Sequence, residues 1–244
     1  MASIIELNNV GFSAIEGRIV NGVSLKFNSA KITAIVGPSG SGKSTVLKLS
    51  AGLLVPDQGE VYYNGKNIAY MNRGENLEYR RESAFVFQDS ALWANQNLNQ
   101  ILELPLRIHY PQMDKKERAD RIREVTAKVG YRKNLEIRPS RLSMGEQKLI
   151  AFARALLCSP KLLYLDEWVE SLDENAGDRL INIVKEMYKM GTSVLFVCHD
   201  MRIIRDLADY IVVITDGKVV LHETKEKVMN DPELSNYLRM GLAL

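Results

Sequence analysis

The sequence predicts an α/β fold built on a largely parallel sheet, preceded by an antiparallel β portion and interrupted by a helical insertion. Three observations carry that prediction. Short apolar runs rich in branched residues alternate with segments of helical periodicity. A glycine-rich turn stands directly between one such run, Ile32 to Val36, and a helical pattern, Ser44 to Ala51. The stretch from about 89 to 159 holds long amphipathic segments and no strand pattern.

In chain order, strands are expected at Ile4 to Val10, Val23 to Phe27, Ile32 to Val36, Val61 to Tyr63 and Ala84 to Phe87, several bounded by Gly, Asn or Asp. The insertion follows, with helices at Leu98 to His109 and Lys115 to Val129. Strands at Leu162 to Leu165, Ser193 to Val197 and Tyr210 to Ile214 then alternate with helices at Asn175 to Met190 and Met201 to Ala208. The tail reads as a short strand, Lys218 to His222, and helical segments Glu223 to Met229 and Pro232 to Met240. There is no internal repeat, low-complexity tract or flexible linker.

Bulk composition narrows the function classes. Lys and Arg number 32 against 30 acidic residues, a balance that gives no reason to expect nucleic acid or an anionic membrane surface as the main partner. Cys158 and Cys198 lie in no metal-ligand spacing, which fits structural thiols in a reducing compartment. No apolar run approaches the roughly 20 residues that span a bilayer, and the start lacks a basic and then apolar signal region. The chain is therefore expected to be soluble and to serve a membrane process only by docking on a separate membrane protein.

Gly37-Pro38-Ser39-Gly40-Ser41-Gly42-Lys43-Ser44-Thr45 matches the Gly-x4-Gly-Lys-Ser/Thr turn in its confirming context, strand before and helix after. Glycines let the backbone aim N–H groups at phosphate oxygens, and the following helix adds its positive end. Lys43 is expected to reach the outer phosphates of ATP and Ser44 to offer its hydroxyl to Mg²⁺. A metal-side acid is needed as well. The run Leu162 to Leu165 ends in Asp166-Glu167, at the strand end where ligands gather in such sheets. Asp166 is placed to hold Mg²⁺ and Glu167 to orient or deprotonate the attacking water.

Leu142-Ser143-Met144-Gly145-Glu146-Gln147, 19 residues before Asp166, continues into Ala153-Arg154-Ala155-Leu156. It resembles the signature sequence of ABC-type ATPases, usually Leu-Ser-Gly-Gly-Gln. The resemblance runs from Ile4 to about Leu221. It implies a P-loop NTPase with a RecA-like core and β subdomain over 1–88 and 160–222, a helical subdomain over 89–159 and a helical tail over 223–244. It also implies that Ser143 and Gly145 close over ATP bound to a second ATPase subunit, an identical or similar chain. Gln88 resembles the glutamine that senses Mg²⁺ and water beside the membrane partner. Asp173, in Ser171-Leu172-Asp173, resembles the segment that communicates across the dimer. His199 resembles the switch histidine at the γ-phosphate. His109 and His222 match nothing and are read as structural.

Departures from the pattern bear on rate and base recognition. Ala14 stands where the family often stacks an aromatic ring on adenine, which implies a base held weakly, or by Phe12 or another side chain. Met144 and Glu146 replace Gly and Gln, and Trp168 stands where proline commonly follows the glutamate. Slow but real hydrolysis is expected. The segment Phe87-Gln88-Asp89-Ser90-Ala91-Leu92-Trp93, with Leu104-Pro105-Leu106-Arg107, is similar to ATPases of the Mla and Mce lipid-trafficking systems. That likeness implies a lipid cargo, an integral membrane permease, Mce-type lipid-binding subunits and a place in the cytoplasm on the inner face of the membrane. Related importers and exporters share a similar arrangement, so the alternative within the family is a transporter ATPase for another substrate. Two further alternatives differ in class. A soluble ATPase of DNA repair or translation would carry a long coiled coil or two nucleotide domains, and a kinase would have no use for the signature.

Overall fold

The computed structural model describes residues 2–15 and 17–241. Two long strands, β1 (Ser3–Ala14) and β2 (Gly17–Asn28), pair antiparallel, and β4 (Gln58–Tyr63) and β5 (Lys66–Asn67) join them in a four-stranded sheet of order β2-β1-β4-β5. The second sheet has six strands in the order β10-β9-β3-β8-β7-β6. Its members are β3 (Ile32–Val36), β6 (Ser83–Val86), β7 (Leu162–Asp166), β8 (Ser193–Val197), β9 (Tyr210–Thr215) and β10 (Lys218–Thr224). From β9 to β6 the pairings are parallel, and only β10 is antiparallel to its neighbour.

Every residue of β3, β7 and β8 is buried, which explains why these segments read as unbroken apolar runs rather than alternating ones. The period of two survives in the packing. Ile32, Ala34 and Val36 face one hydrophobic cluster, whereas Ile35 faces the other, shared with β1, β2 and β4.

Helices α6 (Glu174–Lys189) and α7 (Met201–Leu207) connect successive parallel strands, and α1 (Lys43–Ser50) leads from β3 to β4 of the other sheet. The predicted helical stretch contains α3 (Leu98–His109), α4 (Lys115–Val129) and α5 (Met144–Leu156), which pack on one another and on the first cluster. Each begins with a reciprocal side-chain cap, Asn97 with Gln100, Asp114 with Glu117 and Ser143 with Glu146. Helix α2 (Arg73–Glu82) precedes β6, and α8 (Lys225–Asn230) and α9 (Pro232–Gly241) close the chain.

Two differences from the sequence reading have plain causes. Helix α2 was not expected, because it buries only Tyr79 and otherwise shows no apolar stripe. The last strand runs two residues beyond His222, because Glu223 and Thr224 pair with Ile211 and Tyr210. Helix α8 therefore starts at Lys225 rather than Glu223, with Thr224 as its cap.

Helix α1 is tied to β7 at both ends. Ser44 Oγ donates to Asp166 Oδ1 at 2.8 Å, and the Ser50 carbonyl accepts the Tyr164 hydroxyl at 2.9 Å. Tyr79 from α2 completes the far tie, its hydroxyl 3.2 Å from that of Tyr164.

Candidate nucleotide site

The sheet order decides what meets at the site. Strands β3, β8, β7 and β6 are consecutive neighbours, all running the same way. Their carboxyl ends therefore deliver, side by side, the turn at Gly37, His199, the pair Asp166-Glu167, and Gln88. That row forms at the edge where ligands collect in parallel sheets.

The turn is shaped by its glycines. A Cβ on Gly37 would lie 2.1 Å from the Ile214 carbonyl oxygen of β9 and 2.6 Å from Ser41 Oγ, so no other residue fits. Gly42 caps α1 in the left-handed region at φ 97, and no side chain caps that helix. The first-turn N–H groups are thus left to an anion, with no acidic residue nearby in the first turn. Ser41 Oγ is buried with no hydrogen-bond partner among the described residues, a polar atom that a phosphate oxygen would satisfy. Lys43 is 7% exposed and donates from Nζ to the Pro38 carbonyl at 2.8 Å. Burial lowers its pKa, and Glu167 and Asp166 oppose that shift.

Asp166, 2% exposed, is pushed up by burial, against the pull of the Ser44 hydrogen bond and three lysines. Glu167 takes φ 43 and is pinned by its N–H to the Val197 carbonyl at 3.2 Å. Its carboxyl is raised to about 7, first by burial and then by Asp166 and Glu170. His199 Nε2 stands 3.0 Å from Glu167 Oε1, yet that oxygen has no aligned hydrogen-bond partner among the described residues. Proximity is real and alignment is lacking. Burial and Lys43 keep the imidazole below its usual pKa, so it is neutral at pH 7.

Gln88 Nε2 donates to Glu170 Oε2 at 3.3 Å. Gln88, Ser44 and Asp166 line one open cavity of about 750 Å³ with Lys48, Lys148 and Glu170. Ser143 and Gly145 do not line it, although Met144 between them does. Ser143 Oγ accepts the Glu146 N–H at 3.2 Å, and Glu146 accepts the Ser143 N–H at 2.9 Å. A Cβ on Gly145 would sit 3.1 Å from the Ser171 carbonyl, so the signature turn packs against the Ser171-Leu172-Asp173 segment. Asp173 caps α6, accepting the Ala176 N–H at 2.9 Å. Phe12 is half-buried against the second cluster, while Ile15 is fully exposed at the β1–β2 turn.

Sequence reasoning missed Lys148 and Glu170. Lys148 had one visible signal, a lone cation ahead of Leu149-Ile150-Ala151-Phe152-Ala153, where a helix buries every residue. Burial pushes the Cys158 thiol up to about 11 and the Cys198 thiol up to about 12, which disfavours the thiolate at both.

Residues 20–170 match a family model described as ABC transporter. The chain is 31% identical over 236 residues to the macrolide export ATP-binding/permease protein MacB 2 of Yersinia pestis bv. Antiqua (strain Antiqua). That match takes in 95% of this chain and 34% of the exporter, so the chain spans about a third of that relative's length. The nickel import ATP-binding protein NikE of Shigella flexneri is 36% identical over 205 residues, 82% of this chain and 76% of NikE. A solved dimeric ATP-binding cassette in a post-hydrolysis state, bound to ADP and Pi, superposes with a TM-score of 0.84 at 30% identity, covering 90% of this chain and 98% of the other. A long family match, a shared architecture and a phosphate turn of the required shape agree: the chain belongs to the ABC transporter family.

Proposed function

We propose that this chain hydrolyses ATP as one of a pair of nucleotide-binding subunits and thereby drives a membrane permease. The observation that carries the reading is the convergence of the Lys43 turn, the Ser44–Asp166 bond and the Glu167–His199 contact on adjacent strand ends. The triphosphate would lie on residues 37–45, with Lys43 turning from the Pro38 carbonyl to the outer phosphates. Among the described residues no three His, Cys, Asp or Glu cluster as a metal site. Mg²⁺ fits nonetheless, because it binds through one or two protein oxygens plus phosphate and water. Ser44 and Asp166 would hold it with Gln88 close by, and bound there it would neutralise charge on the phosphates.

Glu167 would take the proton of the attacking water in its carboxylate form, and neutral His199 would orient at the γ-phosphate. Ser143 and Gly145 of the second subunit would cap the same phosphate, with Asp173 near the junction. Closing on ATP and opening after hydrolysis is a two-state switch in which the nucleotide favours the state that contacts it from both sides.

The segment 89–159 would turn as a subdomain against the core. Between them lies a groove of about 470 Å³ lined by Leu53, Arg80, Phe87, Trp93 and Arg154. Leu53 is 42% and Trp93 45% exposed there, which suits a docking element of a permease. Among the described residues no helix is long and apolar enough to cross a membrane, so the subunit would act from the cytoplasmic face through that partner. For cargo we propose a lipid, supported by the Phe87 to Trp93 segment together with Leu104 to Arg107. The names of the relatives cite a macrolide, nickel and oligopeptides. Isolating the native complex from membranes and identifying subunits and bound small molecules by mass spectrometry tests both parts. A lipid with a permease supports the reading; a macrolide, metal or peptide overturns the cargo, and comigration with ribosomes or DNA overturns the transport role.

A further inference from the structure

Helix α5 holds the base-bearing turn at two points. Lys148 Nζ donates to the Glu167 carbonyl oxygen at 2.7 Å. Four residues along, on the same face, the Phe152 ring stacks on Trp168, with centroids 5.6 Å apart and planes at 26°. Both contacts are interior. Lys148 is 4% exposed, while Phe152 and Trp168 are fully buried. A buried ammonium is costly unless it is matched, and Glu170, Glu167, Asp166 and Asp89 all favour its charge. The turn it grips is a demanding one, because Glu167 holds φ 43, a conformation rare outside glycine.

We infer that Lys148 and Phe152 form a clamp that positions Glu167, and that it transmits engagement of the Ser143 end of α5 to the base of the same subunit. The inference rests on the paired reading above, in which Ser143 meets a nucleotide held by the second subunit. Ser143 stands five residues before Lys148 on one rigid helix, so a shift of the helix start moves both grips together. Glu170 shares the linkage, since its N–H donates to the same Glu167 carbonyl at 3.3 Å and its carboxylate accepts Gln88. Lys148 touches no reacting atom in this scheme. It is a positioning residue.

The test uses the full chain. Loss of a buried charged hydrogen bond to the turn lowers kcat of Lys148→Met about tenfold, with KM for ATP changed less than about twofold. Lys148→Arg, which can still donate to the carbonyl, recovers most of the lost kcat. Phe152→Leu, nearly volume-conserving, serves as the second variant. It lowers kcat about threefold, and its effect is not additive with Lys148→Met, because both grips act on one turn. Unchanged kcat in both single variants overturns the clamp. So does an equal loss of ATP binding, or an arginine no better than methionine. ATP-dependent dimerisation in a Glu167→Gln background separates the two layers. If the Lys148→Met, Glu167→Gln double variant still pairs, the paired reading stands and the kcat result judges the clamp. If Glu167→Gln alone stays monomeric with ATP, the paired reading falls and the transmission with it.

Discussion

Two helix starts on this chain, those of α1 and α5, offer amides to an anion in opposite ways. Among the described residues, the start of α1 is sunk in the protein, has no side-chain cap and leaves the Ser41 hydroxyl unpartnered. The start of α5 is already closed on itself by the Ser143–Glu146 pair, and Met144 beside it is 70% exposed. A phosphate gains full value at the first place and must compete with internal bonds at the second. Under the proposed function the difference implies an order, in which nucleotide would settle on the Lys43 turn first and the Ser143 end would join afterwards.

Four experiments break or sharpen that asymmetry. The largest effect belongs to Glu167→Gln, which should cut hydrolysis by about a thousandfold, within the range for a lost general base, while ATP binding persists and a dimer accumulates. Steady-state turnover and size-exclusion with ATP measure the two. The same variant carries a pH signature in the nucleotide-free protein. A carboxyl raised from 4.5 to about 7 keeps its proton in the folded chain where the unfolded chain has lost it. Stability of the parent therefore falls as pH rises from about 4.5 to about 7, and the glutamine variant, lacking the titration, melts progressively higher than the parent across that window and keeps the full difference above it.

Lys43→Ala comes next, with ATP affinity falling about a hundredfold by calorimetry, since a buried charge-assisted contact to phosphate is removed. Ser143→Arg should leave that affinity within about twofold yet lower hydrolysis at least tenfold, because only the second helix start is blocked. Equal damage to binding by both substitutions would erase the proposed order. The smallest effect is Glu146→Gln. Glutamine preserves the reciprocal cap, so melting should move little, while loss of the carboxylate beside the anion should lower KM by about twofold.

The same contrast explains what the sequence disclosed. Strand β3, the glycine turn and α1 were legible together, since a fully buried strand, special φ angles and a phosphate each impose narrow residue choices. His199 and Gln88 were legible only by their order among other motifs; the sheet then set them on neighbouring strand ends. Helix α2 was opaque because its stability comes from a capping box, Tyr79 and Arg80 contacts to the Ala51 and Gly52 carbonyls rather than from an apolar face. The outer ends of β1 and β2 were clipped for a similar reason, as residues there such as Ser13, Ala14, Gly17, Arg18, Asn21 and Gly22 are exposed and carry no apolar alternation. Lys148 was hidden because its partner is a main-chain oxygen, and no side-chain pattern reports a backbone acceptor.

The double tie of α1 to β7 has a kinetic corollary. A helix braced at Ser44 and again at Ser50 resists pivoting away from the central sheet, so its amides from Val46 onward, which are bonded within the helix, should be among the slowest to exchange with deuterium. A receptor stiffened before its guest arrives spends no time assembling, and the speed of ATP capture should then follow diffusion and solvent viscosity rather than any internal rearrangement.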